Sequence, residues 1–290
     1  MIRLVISADD LGLNPRLDEG ILAAHTGGVV TSASLLATGP FAREAVRRAV
    51  QQRLPMGLHL CLTSHLSPAA RPQDVRWLAP GGRFPKNWAR LSAAWLARLI
   101  PPEEIVLELR AQVQRARDLG AQIDHLDTHQ HLHLLPGMTS IVEVLAAELG
   151  VAMRWPKERP TGRWLLHPGS AAKSAVLSTL GAMKEQRGIT RVPAIGIFES
   201  GRLTEKRLLR LIAGLGEGDH EIVTHPGLDP GVVAQDPSWS YGWKDDLAAV
   251  LSPRVKAAIA DRGVKLVSYA ELKAGSTPAP AITAASSNQP

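Results

Sequence analysis

The sequence predicts an α/β fold of repeated βα units around a largely parallel sheet, and three observations carry that prediction. Short apolar runs bounded by turn residues alternate with longer stretches of helical period. A chain of 290 residues suits one large domain with a substantial core. An apolar content of 45% with 21% charged residues is ordinary for a packed globular protein and far from the composition of a disordered one.

Strands are expected at Ile2 to Ala8, Val30 to Leu36, Met56 to Leu62, Gln122 to Leu126, Val151 to Arg154, Ala194 to Phe198, Glu221 to Thr224 and Val264 to Val267. In the stretch Pro102 to Leu119, Ile105, Val106, Leu109, Val113 and Ala116 share one helical face, and Gly120 follows as a stop. Similar helices are expected at Pro15 to Thr26, Phe41 to Gln52, Met138 to Leu149, Glu205 to Leu215 and Pro253 to Asp261. Helices on this schedule cover a sheet or ring a barrel. Residues 64–100, rich in Pro, Gly, Arg and Trp, read as a long excursion, helical from Trp88, that shapes the substrate pocket. Trp77, Trp88 and Trp95 are its aromatic anchors. The domain spans 1–274, and the low-complexity tail 275–290 is expected to be disordered.

The net charge of +6 comes from basic residues spread along the chain with no dense run, and two tyrosines and three phenylalanines leave little for stacking bases, so a nucleic-acid partner is not expected. The lone Cys61 excludes a disulfide scaffold. No stretch has the length of a transmembrane helix, and the first residues lack a signal-peptide layout, so a cytoplasmic location is expected.

Asp9 and Asp10 end the first strand, at the edge of the sheet where α/β enzymes build their sites. The bland alternative is that one of them caps the next helix. His59 lies in the apolar run Met56 to Leu62, where a buried imidazole needs a partner or a metal. Then comes His125-Leu126-Asp127-Thr128-His129-Gln130-His131-Leu132-His133, with every histidine and the aspartate at odd positions. A strand continuing through them would put all on one face. Histidine and carboxylate clusters of this kind mark metal sites. An aspartate, His59 and one histidine of the cluster, from three strand ends, leave open positions for water, as catalytic sites do.

These motifs, with Ala8-Asp9-Asp10-Leu11-Gly12, Val30-Thr31-Ser32, Gly57-Leu58-His59, Glu221-Ile222-Val223-Thr224-His225-Pro226-Gly227 and Leu266-Val267-Ser268-Tyr269-Ala270-Glu271-Leu272, resemble the YdjC-like carbohydrate deacetylases, the family of chitooligosaccharide deacetylase, over roughly residues 3 to 273. The resemblance implies a single-domain, distorted (β/α) barrel of seven or eight parallel strands. It implies one divalent ion, magnesium or zinc, on Asp10, His59 and His129, with Asp9 as general base. Only the resemblance selects His129 over His131. Leu11 stands where phenylalanine is usual and Gln130 interrupts a common run of histidines; neither removes a ligand. Arg154-Trp155-Pro156-Lys157-Glu158 and Gly196-Ile197-Phe198-Glu199-Ser200-Gly201 are closer to the hopanoid-biosynthesis-associated branch.

The expected reaction is removal of the acetyl group from an N-acetylated amino sugar or glycolipid by a metal-bound water that Asp9 deprotonates. His225 is the candidate acid for the departing amine, against the alternative of a turn histidine bonded to backbone. Asp127, His131 and His133 would support the ligands or meet substrate. Two rivals stay open: another barrel metal hydrolase acting on phosphoesters or amides, and a non-catalytic metal-binding protein. A homodimer is left open too.

Overall fold

The first strand, β1 (Ile2–Leu11), organises the sheet because three other strands pair with it, all in parallel. Along one edge β7 (Gly218–Thr224) follows it from Ile2 to Ala8. Its opposite edge is divided. Ser7, Ala8 and Leu11 pair with β2 (Ser32–Leu35), while Arg3 and Leu4 pair with the short β8 (Lys265–Leu266). From β2 the parallel order runs through β3 (Met56–Leu60), β4 (Ile123–Thr128), β5 (Ala152–Pro156) and β6 (Arg191–Ile195) back to β7. The result is the expected distorted barrel: seven strands close the ring and β8 fills the lower edge of β1. The computed structural model describes residues 1–157, 189–228 and 241–274; the tail expectation at 275–290 lies outside the described residues.

Around the strands lie α1 (Pro15–Gly27), α2 (Ala42–Gln51), α3 (Trp88–Leu96), α4 (Pro102–Asp118), α5 (Met138–Leu149), α6 (Glu205–Ala213), α7 (Trp243–Leu251), α8 (Pro253–Asp261) and α9 (Tyr269–Ala274). Helix α4 shows why such segments fold as they do. Pro102 opens it, Glu103 and Glu104 face its positive end and Arg115 and Arg117 its negative end, while Ile105, Leu109, Val113 and Ala116 are buried against the barrel. Helices α7 and α9 were not anticipated. The sixth strand also lies earlier than expected. Gly196, at φ 89°, ends it at Ile195, and Ile197–Glu199 form a single tight turn.

Two local devices hold the upper rim. Asn14 caps α1 by accepting from the Arg16 backbone N–H at 2.8 Å, so neither Asp9 nor Asp10 is its cap. Asp18, in the first turn of α1, accepts the Gly12 backbone N–H at 2.7 Å and ties down the chain leaving β1. In β3, Gly57 leaves room for the His125 ring, since a Cβ there would stand 2.2 Å from its atoms.

Burial pushes the Asp18 carboxyl up from 3.8 to about 7. The folded chain therefore keeps a proton that the unfolded chain has lost, and Asp18 favours folding below about pH 4 in a way that fades as the pH rises through 7. Asp18→Asn retains the acceptor and removes the titration. Urea unfolding between pH 4 and 8 should show the parent losing stability relative to the variant, whereas parallel profiles would contradict this assignment. Gly57→Ala should cost about 1–3 kcal/mol, the usual scale of overpacking, seen as a lower urea midpoint.

Candidate metal centre

Neighbouring residues of a regular strand point to opposite faces, yet Asp9 and Asp10 both reach the same imidazole. Asp10 has φ 70°, and the pairing of β1 with β2 slips between Ala8 and Leu11. This break turns both carboxylates inward. Asp10 Oδ1 lies 3.6 Å and Asp9 Oδ2 4.0 Å from His59 Nε2. A left-handed non-glycine residue is strained, and such strain gathers at functional sites.

His59 stands opposite Asp127 in the register of β3 and β4, so parallel pairing alone brings their side chains together. Asp127 Oδ1 receives His59 Nδ1 at 2.9 Å, which fixes the ring and turns Nε2 towards Asp10. Burial disfavours the charged imidazole, but Asp127, Asp9 and Asp10 outweigh it and push His59 up to about 9.

The strand does not continue through the histidine cluster. It ends at Thr128, and His129–Leu134 form a tight turn in which Gln130 and His131 each take φ 59°. The expected single face is therefore lost, and the histidines diverge. His125 points into the barrel, stacked on Tyr269 at 3.8 Å, with Nδ1 2.7 Å from Asp124 and Nε2 3.2 Å from Ser34 Oγ. His129 turns to the rim, with Nδ1 3.2 Å from His59 Nε2 and 3.3 Å from Asp10 Oδ1. Ser64 Oγ meets its other nitrogen at 3.0 Å. His133 is fully buried with Nδ1 2.7 Å from Thr128 Oγ1, and burial pushes it down to about 3. His131 is buried with its ring centre 6.4 Å from that of His133.

Asp10 Oδ1, His59 Nε2 and His129 Nδ1 thus converge with separations of 3.2 to 3.6 Å. Donors at about 2.1 Å from a common ion stand about 3.0–3.5 Å apart, so the group fits a divalent metal. Asp10 Oδ1 is fully buried and faces the two imidazole nitrogens, and among the described residues it makes no hydrogen bond of regular geometry, so a cation would satisfy it. Burial raises the cost of its charge, yet His129 and His59 hold the Asp10 carboxyl below the usual range. Among the described residues Asp9, His59 and Asp127 form a second convergent group. There the place of a cation is taken by Arg154.

Arg154, missed in the sequence reading, is fully buried on β5 and binds both oxygens of Asp9 at 2.7 Å. It also pairs with Asp127 and, through Nε at 2.9 Å, with Glu221, which Ser7 and Tyr269 bind in turn. Against burial, the guanidinium holds the Asp9 and Asp127 carboxyls well below the ordinary range. Asp9, Asp10, Asp127 and Glu221 are four buried carboxylates, and Arg154 pairs with all but Asp10. A divalent ion would offset that excess of negative charge. An arginine inside Val151 to Trp155, an otherwise apolar run, was the available signal for this group. Ser64, on an irregular loop, gave none.

His225 follows β7, with Nε2 4.0 Å from Asp9 Oδ2 and its ring edge-on to Tyr241 at 5.0 Å. Its backbone N–H donates to Asp246 at 2.8 Å, and its Nδ1 makes no hydrogen bond. The imidazole therefore faces the site and does not serve as a backbone clamp. Burial lowers its pKa despite Asp9 and Asp10.

The profile of the YdjC-like protein family matches residues 3–261. A carbohydrate deacetylase of Brevibacillus brevis is 32% identical over 274 residues, covering 93% of this chain and 100% of the relative. The human carbohydrate deacetylase is 31% identical, covering 93% and 91% of the two chains, and a chitooligosaccharide deacetylase of Salmonella heidelberg is 29% identical, covering 93% and 98%. A solved Enterococcus faecalis protein, described as a cellobiose-phosphate cleavage protein, superposes with a TM-score of 0.76 at 24% identity over 93% of this chain and 98% of its own, which supports the fold. With its barrel, its site motifs and a profile match over most of its length, the chain belongs to the YdjC-like family.

Proposed function

We propose that this chain is a metal-dependent hydrolase that removes the acetyl group from an N-acetylated sugar or glycoconjugate. The observation that carries the reading is the convergence of Asp10, His59 and His129 on one point, with no hydrogen bond of regular geometry to the buried Asp10 Oδ1 among the described residues. The relatives named carbohydrate deacetylase and chitooligosaccharide deacetylase support the substrate class. Asp10, His59 and His129 would hold one divalent ion, magnesium or zinc. Bound there, the ion supplies Lewis acidity, making a water more acidic and stabilising negative charge on the acetyl carbonyl oxygen.

The protein's own groups handle the protons. Asp9 is kept ionised and oriented by the two bonds from Arg154, with Oδ2 turned towards His59 and His225. It is the base that accepts the proton of the attacking water. Arg154 makes it a weak holder of that proton, which favours passing it on. His225 starts neutral, since burial lowers its pKa, and lies 4.0 Å from Asp9 Oδ2. It delivers the proton to the departing amine. Asp127 and Ser64 orient the two imidazole ligands from behind. A two-metal phosphoesterase would need a second cation site, and Arg154 already fills the other convergent group among the described residues.

A chelator should abolish acetate release from N-acetylglucosamine oligomers, and added magnesium or zinc should restore it. Full turnover by metal-stripped protein would exclude this chemistry. The adjacent aspartates should separate in a second experiment. Asp10→Asn should lose metal, whereas Asp9→Asn should keep close to one ion per chain by elemental analysis while acetate release falls about a hundredfold or more. Loss of metal in Asp9→Asn with retention in Asp10→Asn would exchange their roles.

A further inference from the structure

The basic residues look evenly spread along the sequence, but their charge is not evenly balanced. Residues 64–100 carry six lysines and arginines against one acidic residue, Asp74, so this excursion accounts for five of the six net positive charges of the chain. All six basic residues are exposed. The same segment exposes Trp77, Trp88, Leu96 and Leu99 by 57, 42, 60 and 65%. Trp77 and Trp88 therefore do not anchor the excursion to the barrel; Trp95 does, donating from Nε1 to the Pro136 carbonyl at 2.8 Å.

Helix α3 reverses the usual arrangement of a surface helix. It buries Leu91 and Ser92, while Trp88, Ala89, Ala93 and Leu96 are exposed. An outer face in water is normally polar. Here the charged groups, Lys86, Arg90 and Arg98, stand on and beside an apolar face that continues to Leu99. Exposed tryptophan and leucine with arginine and lysine alongside match the chemistry of the bilayer interface, where apolar side chains enter the headgroup layer and cations meet lipid phosphates. Nucleic acid would use the charges and the rings but has no use for exposed leucines. Helix α3 also packs against the His129–Leu134 turn, the segment that carries His129.

We propose that the excursion docks the protein on an anionic lipid bilayer, with Trp88, Leu96 and Leu99 entering the headgroup layer and the surrounding basic side chains on lipid phosphates. The inference rests on the surface alone and stands whether or not the chain deacetylates a sugar.

The test is co-sedimentation of the full chain with phosphatidylcholine vesicles, with and without phosphatidylglycerol, at low and high salt. Binding should require phosphatidylglycerol and weaken with salt. Reversing Arg83, Arg90 and Arg98 to glutamate should lower partitioning about a hundredfold. Leu96→Ser with Leu99→Ser should lower it about tenfold or more, with the urea midpoint kept because both side chains are mostly exposed. Absence of binding to the anionic vesicles, equal binding by the parent and both variants, or capture of a single-stranded oligonucleotide in place of vesicles would overturn the proposal.

Discussion

The site depends on one buried guanidinium. Arg154 joins β1, β4 and β7 through Asp9, Asp127 and Glu221, three carboxylates that would repel one another inside the barrel without it. Breaking such a pair by removing one partner costs about 3–5 kcal/mol, because the other charge stays buried and unpaired. The arginine also divides the labour among the acids. Both oxygens of Asp9 are bound to it, whereas Asp10 lies beside the two histidines.

Geometry then follows from small departures from regular structure. The left-handed Asp10 lets two successive carboxylates look inward, and the turn after Thr128 lifts His129 to the rim while His125 stays within the barrel. Regular pairing supplies the rest, since His59 and Asp127 are register partners. His59 and His129 each have one nitrogen held from behind, by Asp127 and by Ser64, which leaves the other aimed at Asp10.

Much of this was legible in the sequence because apolar periodicity reports burial. Seven of the eight strands fall on the expected apolar runs and the sixth starts three residues early, while Asp10, His59 and His129, distant in sequence, lie close together. Periodicity failed where the backbone stopped being periodic. The odd-numbered spacing from His125 to His133 suggested one face, but two left-handed residues, Gln130 and His131, break it. Arg154 and Glu221 were passed over because a charge within an apolar run shows its meaning only when its partners, distant in sequence, are known. Ser64 belongs to an irregular loop with a left-handed φ of 66°, which no pattern of residues announces. The surface of α3 was hidden for a different reason: its tryptophans read as anchors of the excursion, and only the fold shows which of them face outward.

The central claim is that Arg154 reserves a single cation site for Asp10, His59 and His129. Anomalous diffraction from crystals grown with zinc tests it most directly. The account predicts one anomalous peak within bonding distance of Asp10 Oδ1, His59 Nε2 and His129 Nδ1, with Arg154 still bound to Asp9 and Asp127. A peak lying between Asp9 and Asp127 with Arg154 displaced, or no peak among these residues, would contradict it.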